Sequence, residues 1–165
     1  MKNIIFLDVD GVFNCQIYYE ELLRLHPNGE RPKFDMCRKR IEWFSELCAD
    51  TDSAVVISST WRMGRTLEEL QEMMDSMGGT FKIIGSTPIL HVARGVEIKE
   101  WLSEHCMKLF GVHYFDFFRY AIIDDDDDML LGQGPHFFQT DPYSGLTPTT
   151  CEKVQHFFTH KLFDR

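Results

Sequence analysis

Ile4-Ile-Phe-Leu-Asp-Val-Asp-Gly-Val-Phe-Asn14 is a short apolar run that stops at two carboxylates, Asp8 and Asp10, one residue apart. Four consecutive apolar residues at 4–7 have the length and composition of a strand buried on both faces, and Gly11 supplies the turn by which the chain leaves the sheet. Asp8 and Asp10 then sit at a strand's carboxyl end, the edge where open α/β sheets bind their ligands. Two aspartates that merely terminate a strand would look the same in isolation, so the remaining chain has to decide between these readings.

Downstream, residues 15–33 lack clean periodicity and carry the turn His26-Pro-Asn-Gly29, which reads as a small excursion over the site. Asp35 is expected to cap a helix with Cys37, Ile41, Phe44, Leu47 and Cys48 on its apolar face. A second strand at 54–57 runs into Ser58-Ser59-Thr60-Trp61-Arg62. Thr66 and Glu69 form a capping box for a helix lined by Leu67, Leu70, Met74 and Met77, which Gly78-Gly79 ends. A third strand is expected at 81–84. The next helix, from Gly95 to about Met107, buries Ile98, Trp101, Leu102 and Cys106. Arg94 stands at its start, where the helix dipole disfavours a cation, so Arg94 is expected to face an anion or acid. The aromatic stretch at 114–120 reads as core packing. A fourth strand at 121–123 ends in Asp124-Asp125-Asp126-Asp127-Asp128, and a fifth at 136–139 precedes a turn at 141–145. Thr147 and Pro148 start a last helix that buries Cys151, Val154, Phe157, Phe158 and Leu162. Strands alternating with helices indicate an α/β fold, a parallel sheet with helices on both faces and all strand carboxyl ends at one edge.

The 165 residues, 44% hydrophobic and 13% aromatic, suffice for one domain with its own core. The net charge of -9 opposes a broad nucleic-acid-binding face. Much of that charge lies in Asp8, Asp10 and the aspartate run, and the remaining surface is nearly neutral. The five cysteines form no Cys-x-x-Cys pair and read as reduced thiols, with Cys15, near the acidic edge, expected to be a packing residue. The apolar run after Lys2 is too short for a signal peptide, and no stretch reaches the roughly 20 apolar residues of a membrane span, so a soluble, cytoplasmic protein is expected.

Three strand ends therefore converge: Asp8 and Asp10, Ser58 and Ser59, and the aspartate run. Adjacent aspartates repel one another unless a cation offsets them, and a carboxylate-rich oxygen site suits Mg2+. Mg2+ beside a carboxylate, a hydroxyl and a cation is the equipment of phosphoryl transfer. One carboxylate can act as nucleophile, and a second two residues on, facing the same way, can move the proton.

Asp-x-Asp-Gly-Val after a strand, a strand ending in Ser, a basic residue at a later helix and a strand ending in Asp-Asp resemble the four motifs of the haloacid dehalogenase (HAD) superfamily, across nearly the whole chain. The resemblance implies a Rossmann-like sheet of order 3-2-1-4-5 in one domain spanning 1–165, with the excursion at 15–33 as a minimal cap. It implies that Asp8 is nucleophile and metal ligand, and that Asp10 is the general acid/base and binds metal through its carbonyl. Ser58 matches the phosphate-binding hydroxyl, with Ser59 its rival. Arg94 matches the basic residue, with Lys99 its rival. Asp124 and Asp125 match the metal acids, Asp125 being the stronger match, while Asp128 fits a looser form of the motif. Arg62 is either a further charge at the phosphate or a surface salt bridge.

Ile57-Ser-Ser-Thr-Trp-Arg62, Arg94-Gly-x-Glu-Ile-x-x-Trp-Leu102, Ile122-Ile-Asp-Asp-Asp126 and Gln139-Thr-Asp-x-x-x-Gly-Leu-Thr147 look like the HAD domains associated with RNA-repair proteins. That likeness implies polynucleotide-end phosphatase activity. A cap this small leaves an open site, which suits a bulky or macromolecular phosphate ester, whereas the acidic balance opposes a polynucleotide. Arg24, Arg31, Lys33, Arg62 and Arg65 are either a local basic rim or scattered charge. The alternative function is a non-catalytic or phospho-accepting, Mg2+-binding signalling module such as a receiver domain. Receivers, however, carry their aspartate at the end of the third strand.

Overall fold

A computed structural model describes residues 3–29, 32–110 and 119–160, without the side chains of 106–110. Its centre is β1 (Asn3–Leu7), in which all five residues are buried. Because side chains alternate along a strand, Ile5 and Leu7 enter one core and Ile4 and Phe6 the other. Strands β2 (Ser53–Ile57) and β4 (Tyr120–Asp124) flank β1, and β3 (Ile83–Ser86) and β5 (Phe137–Gln139) close the two edges. All pairs are parallel and the order is β3-β2-β1-β4-β5, as expected.

Helices cover both faces. On the Ile5/Leu7 side, α2 (Arg38–Asp50), α3 (Leu67–Ser76) and α5 (Pro148–His160) contribute Ile41, Phe44, Leu70, Met74, Val154 and Phe158. On the Ile4/Phe6 side, α4 (Arg94–Phe110) contributes Ile98, Trp101 and Leu102, and Trp101 and Tyr120 meet Phe6 edge-on at 5.4 and 5.9 Å. Tyr120 thus packs in the core, whereas 114–118 of the aromatic stretch lie outside the described residues, as do Leu162 and the side chain of Cys106. Among the described residues Cys15, Cys37, Cys48 and Cys151 are free thiols, with Cys15 buried. No described helix is long and apolar enough to cross a membrane.

Several boundaries differ from expectation for physical reasons. The third strand runs over Ile83–Ser86 because Phe81 leaves the sheet to pack on Phe44, ring centroids 4.8 Å apart. Gly85 can join the strand because Trp101 lies against its backbone, where a Cβ would come within 3.0 Å of the indole nitrogen. The fifth strand begins at Phe137, since His136 closes a 3-10 turn, Leu131–His136. Cys37, not Asp35, occupies the cap position of α2, and it makes no side-chain cap bond. Along α3 the capping box of Thr66 and Glu69 is present, but Met73 rather than Leu67 is buried, and Leu67 is exposed.

The excursion at 15–33 contains a ten-residue helix, α1 (Gln16–Leu25), that periodicity did not announce. Its first amides are satisfied from outside: Gln16 N–H donates to Pro142 O and Ile17 N–H to Tyr143 O. Tyr18 is buried, whereas Leu23 and Leu25 are exposed, so the helix lacks the continuous apolar stripe that sequence reading seeks.

Candidate active site

Strand register builds the site. Leu7 pairs with Ile57 on one side and Ile123 on the other, so the next residues, Asp8, Ser58 and Asp124, form a row across three adjacent strands. The ladder continues into that row, with Asp8 N–H donating to Ile123 O and Ser58 N–H to Leu7 O. Asp8 is 4% exposed, and Ser58, Ser59 and Asp124 are fully buried. The Ser59 side chain favours the charged form of Asp8. The Ser58 Oγ is buried without a hydrogen-bond partner among the described residues.

Arg94 reaches this row from the first residue of α4. Its Nη1 lies 2.5 Å from Asp8 Oδ1 and 3.2 Å from Asp124 Oδ2, so one guanidinium bridges two buried acids. Arg94 therefore faces acids, which accounts for a cation at a helix start. Asp128 relieves the unfavourable end of that helix, because its Oδ2 accepts from the Arg94 N–H at 2.8 Å. Lys99 is exposed. Burial raises the Asp8 carboxyl despite the opposing pull of Arg94 and Ser59. Burial, and next the charge of Asp8, pushes Asp124 up to about 7. Burial and then the charge of Asp126 raise Asp125. Burial disfavours the Arg94 charge, but Asp124 and Asp8 outweigh it and raise its basicity. One arginine thus leaves the acids short of positive charge.

Asp8, Asp124 and Asp125 offer carboxylate oxygens that all lie within 4.8 Å of one another. Asp124 Oδ2 is buried and accepts no hydrogen bond. A cluster of hard oxygen donors, raised pKa values and a buried carboxylate oxygen that meets only the Arg94 guanidinium together fit a small divalent cation such as Mg2+. Gly11 makes room for the Asp125 carboxylate: at φ +69° its ideal Cβ would sit 2.2 Å from Asp125 Cγ, so any side chain there would displace Asp125.

Asp10 stands apart from that cluster, exposed at the mouth of the site. Its carboxylate accepts from Trp61 Nε1, 3.0 Å from each oxygen, and Oδ1 also accepts from Asn14 Nδ2 at 2.7 Å. Asn14 Oδ1 in turn accepts from Gly11 N–H, and Ser59 Oγ accepts from Trp61 N–H. Neither Asn14 nor Trp61 was singled out from sequence. Their position within the motif stretches was the available signal, but an amide and an indole announce no chemistry by type.

Arg62 forms a salt bridge, but a buried one rather than a surface one. It is buried, ion-paired to Glu97 at 2.5 Å, and donates to the carbonyls of Ser58, Ser59, Thr87 and Pro88. It ties the ends of β2 and β3 to α4 beneath the site. The end of β5 and the residues after it do similar work on the other side. Gln139 Nε2 donates to Asp125 O, Thr140 Oγ1 donates to Gly11 O, and Leu146 N–H donates to Val12 O. The four motif stretches therefore include the supports of the acidic row as well as its members.

A family model described as the HAD domain in Swiss Army Knife RNA repair proteins matches residues 4–151. Comparisons with curated proteins and with solved structures find no match.

Proposed function

We infer the reaction from two premises: the chain belongs to the family of HAD domains in Swiss Army Knife RNA repair proteins, and its most buried carboxylate edge gathers Asp8, Asp124 and Asp125 around Arg94. The family carries phosphohydrolase-type chemistry in an RNA-repair setting. The finer reading is a Mg2+-dependent phosphoric monoester hydrolase acting on a phosphorylated polynucleotide end. The 1–165 chain works as one unit with the excursion at 15–33 as a minimal cap.

In this reading an Asp8 carboxylate oxygen attacks phosphorus as the ester P–O bond breaks. The departing oxygen takes the electron pair and a proton from Asp10. Asp10, now ionised, removes a proton from water, whose oxygen attacks phosphorus and returns the second electron pair to Asp8. Ser58 and Ser59 donate to phosphoryl oxygens, and Arg94 neutralises charge there once substrate competes for it. Asp8, Asp124, Asp125 and the Asp10 carbonyl would hold Mg2+, which supplies electrostatic stabilisation of the transferring phosphoryl group. Asp10 distinguishes this reading from a phospho-accepting signalling module, since a base beside the phosphoenzyme gives it a way to discharge.

The observation that carries the reading is the row Asp8, Ser58, Asp124 set by strand register. The test is hydrolysis of p-nitrophenyl phosphate and of 3′- and 5′-phosphorylated oligonucleotides with Mg2+. Asp8→Asn and chelation are each expected to abolish turnover, and turnover that survives both would refute the mechanism.

A further inference from the structure

Asp10 is the one proposed catalytic group whose carboxylate is exposed, and an exposed aspartate on a turn has no rotamer imposed by packing. Two side chains impose one. Asn14 is buried, and its amide has a single reading: Oδ1 accepts from the Gly11 N–H at 3.0 Å, so Nδ2 has to face Asp10. From that position it donates to Asp10 Oδ1 at 2.7 Å. The Trp61 indole N–H, donor only, spans both carboxylate oxygens at 3.0 Å each. The indole is held in turn, because it packs against the core and its backbone N–H donates to Ser59 Oγ.

We propose that Trp61 and Asn14 are positioning residues that fix Asp10 and select Oδ2 as its proton-carrying oxygen. Oδ1 faces two donors, Asn14 Nδ2 and Trp61 Nε1, and so has no room for a proton of its own. Oδ2 shares only the indole. A proton on Oδ2 can pass to the leaving oxygen, and after its transfer the same oxygen can accept one from water. The coupling of Trp61 to both Asp10 and Ser59 links the proton-transfer group to a proposed phosphate-binding hydroxyl through one residue.

The inference rests on the proposed phosphatase reading, and leaving-group chemistry separates the two. An alkoxide leaving from a nucleoside needs a proton, whereas p-nitrophenolate departs without one. The second-order constant kcat/KM ends at the first irreversible step, so it reports acid assistance to departure and is blind to the later base step.

Trp61→Phe keeps the packed ring and removes the donor. It is expected to lower kcat/KM for a phosphorylated dinucleotide by about tenfold, part of the 10²–10⁴ that general acid catalysis supplies, and to leave p-nitrophenyl phosphate within about twofold. Asn14→Asp, which can no longer donate to Asp10, is expected to give the same split. Thermal melts keep a folding defect from being read as a positioning effect. Equal losses on both esters, or no loss on either, in variants that fold would overturn the inference while the phosphatase reading stands. A wild-type chain inert on both esters would overturn both.

Discussion

Gly11 meets two demands that no other residue meets together. Its φ of +69° lies in the left-handed region, and the space a Cβ would need is taken by the Asp125 carboxylate. Gly11→Ala therefore carries a backbone cost of about 1–2 kcal/mol and, separately, pushes Asp125 away from Asp8 and Asp124. The two effects have different readouts. Chemical unfolding measures the first. The second is read as a loss of metal protection, since a ligand at 100 times its Kd stabilises the folded chain by about 2.7 kcal/mol. Mg2+ is expected to raise the wild-type melting temperature and to raise that of Gly11→Ala and Asp125→Asn much less. Equal Mg2+ shifts in all three proteins would remove Asp125 from the metal site. Arg62 and Glu97 invite a different measurement. Their side chains are 3% and 6% exposed, so removing one leaves the other's charge buried. Glu97→Ala is expected to destabilise by about 3–5 kcal/mol in urea unfolding, the range for a broken buried pair. A cost under about 1 kcal/mol would class the pair with exposed salt bridges.

At the scale of elements, α4 shows how neighbouring residues divide their tasks. Asp128 matched a loose metal motif in sequence, yet its carboxylate caps the N–H of Arg94. Asp128→Ala is expected to lose about 1 kcal/mol, and Asp128→Asn, which still accepts, much less. Neither is expected to weaken Mg2+ protection, and a selective loss of it in Asp128→Asn would return the residue to the metal. The strands were legible because each signal is local: Ile4 to Leu7, Val55 to Ile57 and Ala121 to Ile123 are continuous apolar runs punctuated by polar residues. Parallel pairing then brings the ends of those runs to one edge. The capping box of Thr66 and Glu69 was legible for the same reason. What stayed hidden depends on distant partners. The first amides of α1 are held by Pro142 and Tyr143, the shift of β3 follows from Phe81 meeting Phe44, and Arg62 is buried because Glu97 and four carbonyls surround it. Apart from the Ser58 and Ser59 carbonyls, no short window of sequence contains both halves of these contacts.

Across the whole molecule, the distribution of cations decides how a polynucleotide would be held. Of the arginines and lysines that sequence offered as a rim, Arg62 is buried in its ion pair and Arg31 lies outside the described residues. Lys33 and Arg65 do line one groove, with Phe34, but Glu69 and Glu72 line it too, so the groove is charge-balanced. Arg65 is further committed to Trp61, with its guanidinium 5.7 Å from the ring centroid and Nη1 donating to Trp61 O. In the proposed phosphatase reading, a chain of net charge -9 is expected to hold the terminal phosphate in the acidic row and to contact the rest of the strand little. KM for a phosphorylated oligonucleotide is accordingly expected to stop improving beyond the first one or two nucleotides. Its dependence on salt should be shallow, since each neutralised phosphate adds a slope of only about 0.7 in log–log form for a single strand. Steady-state kinetics on a length series, repeated at several salt concentrations, measures both quantities. A KM that keeps falling with length, with a slope corresponding to several phosphates, would require a basic surface contributed by residues outside those described or by another chain.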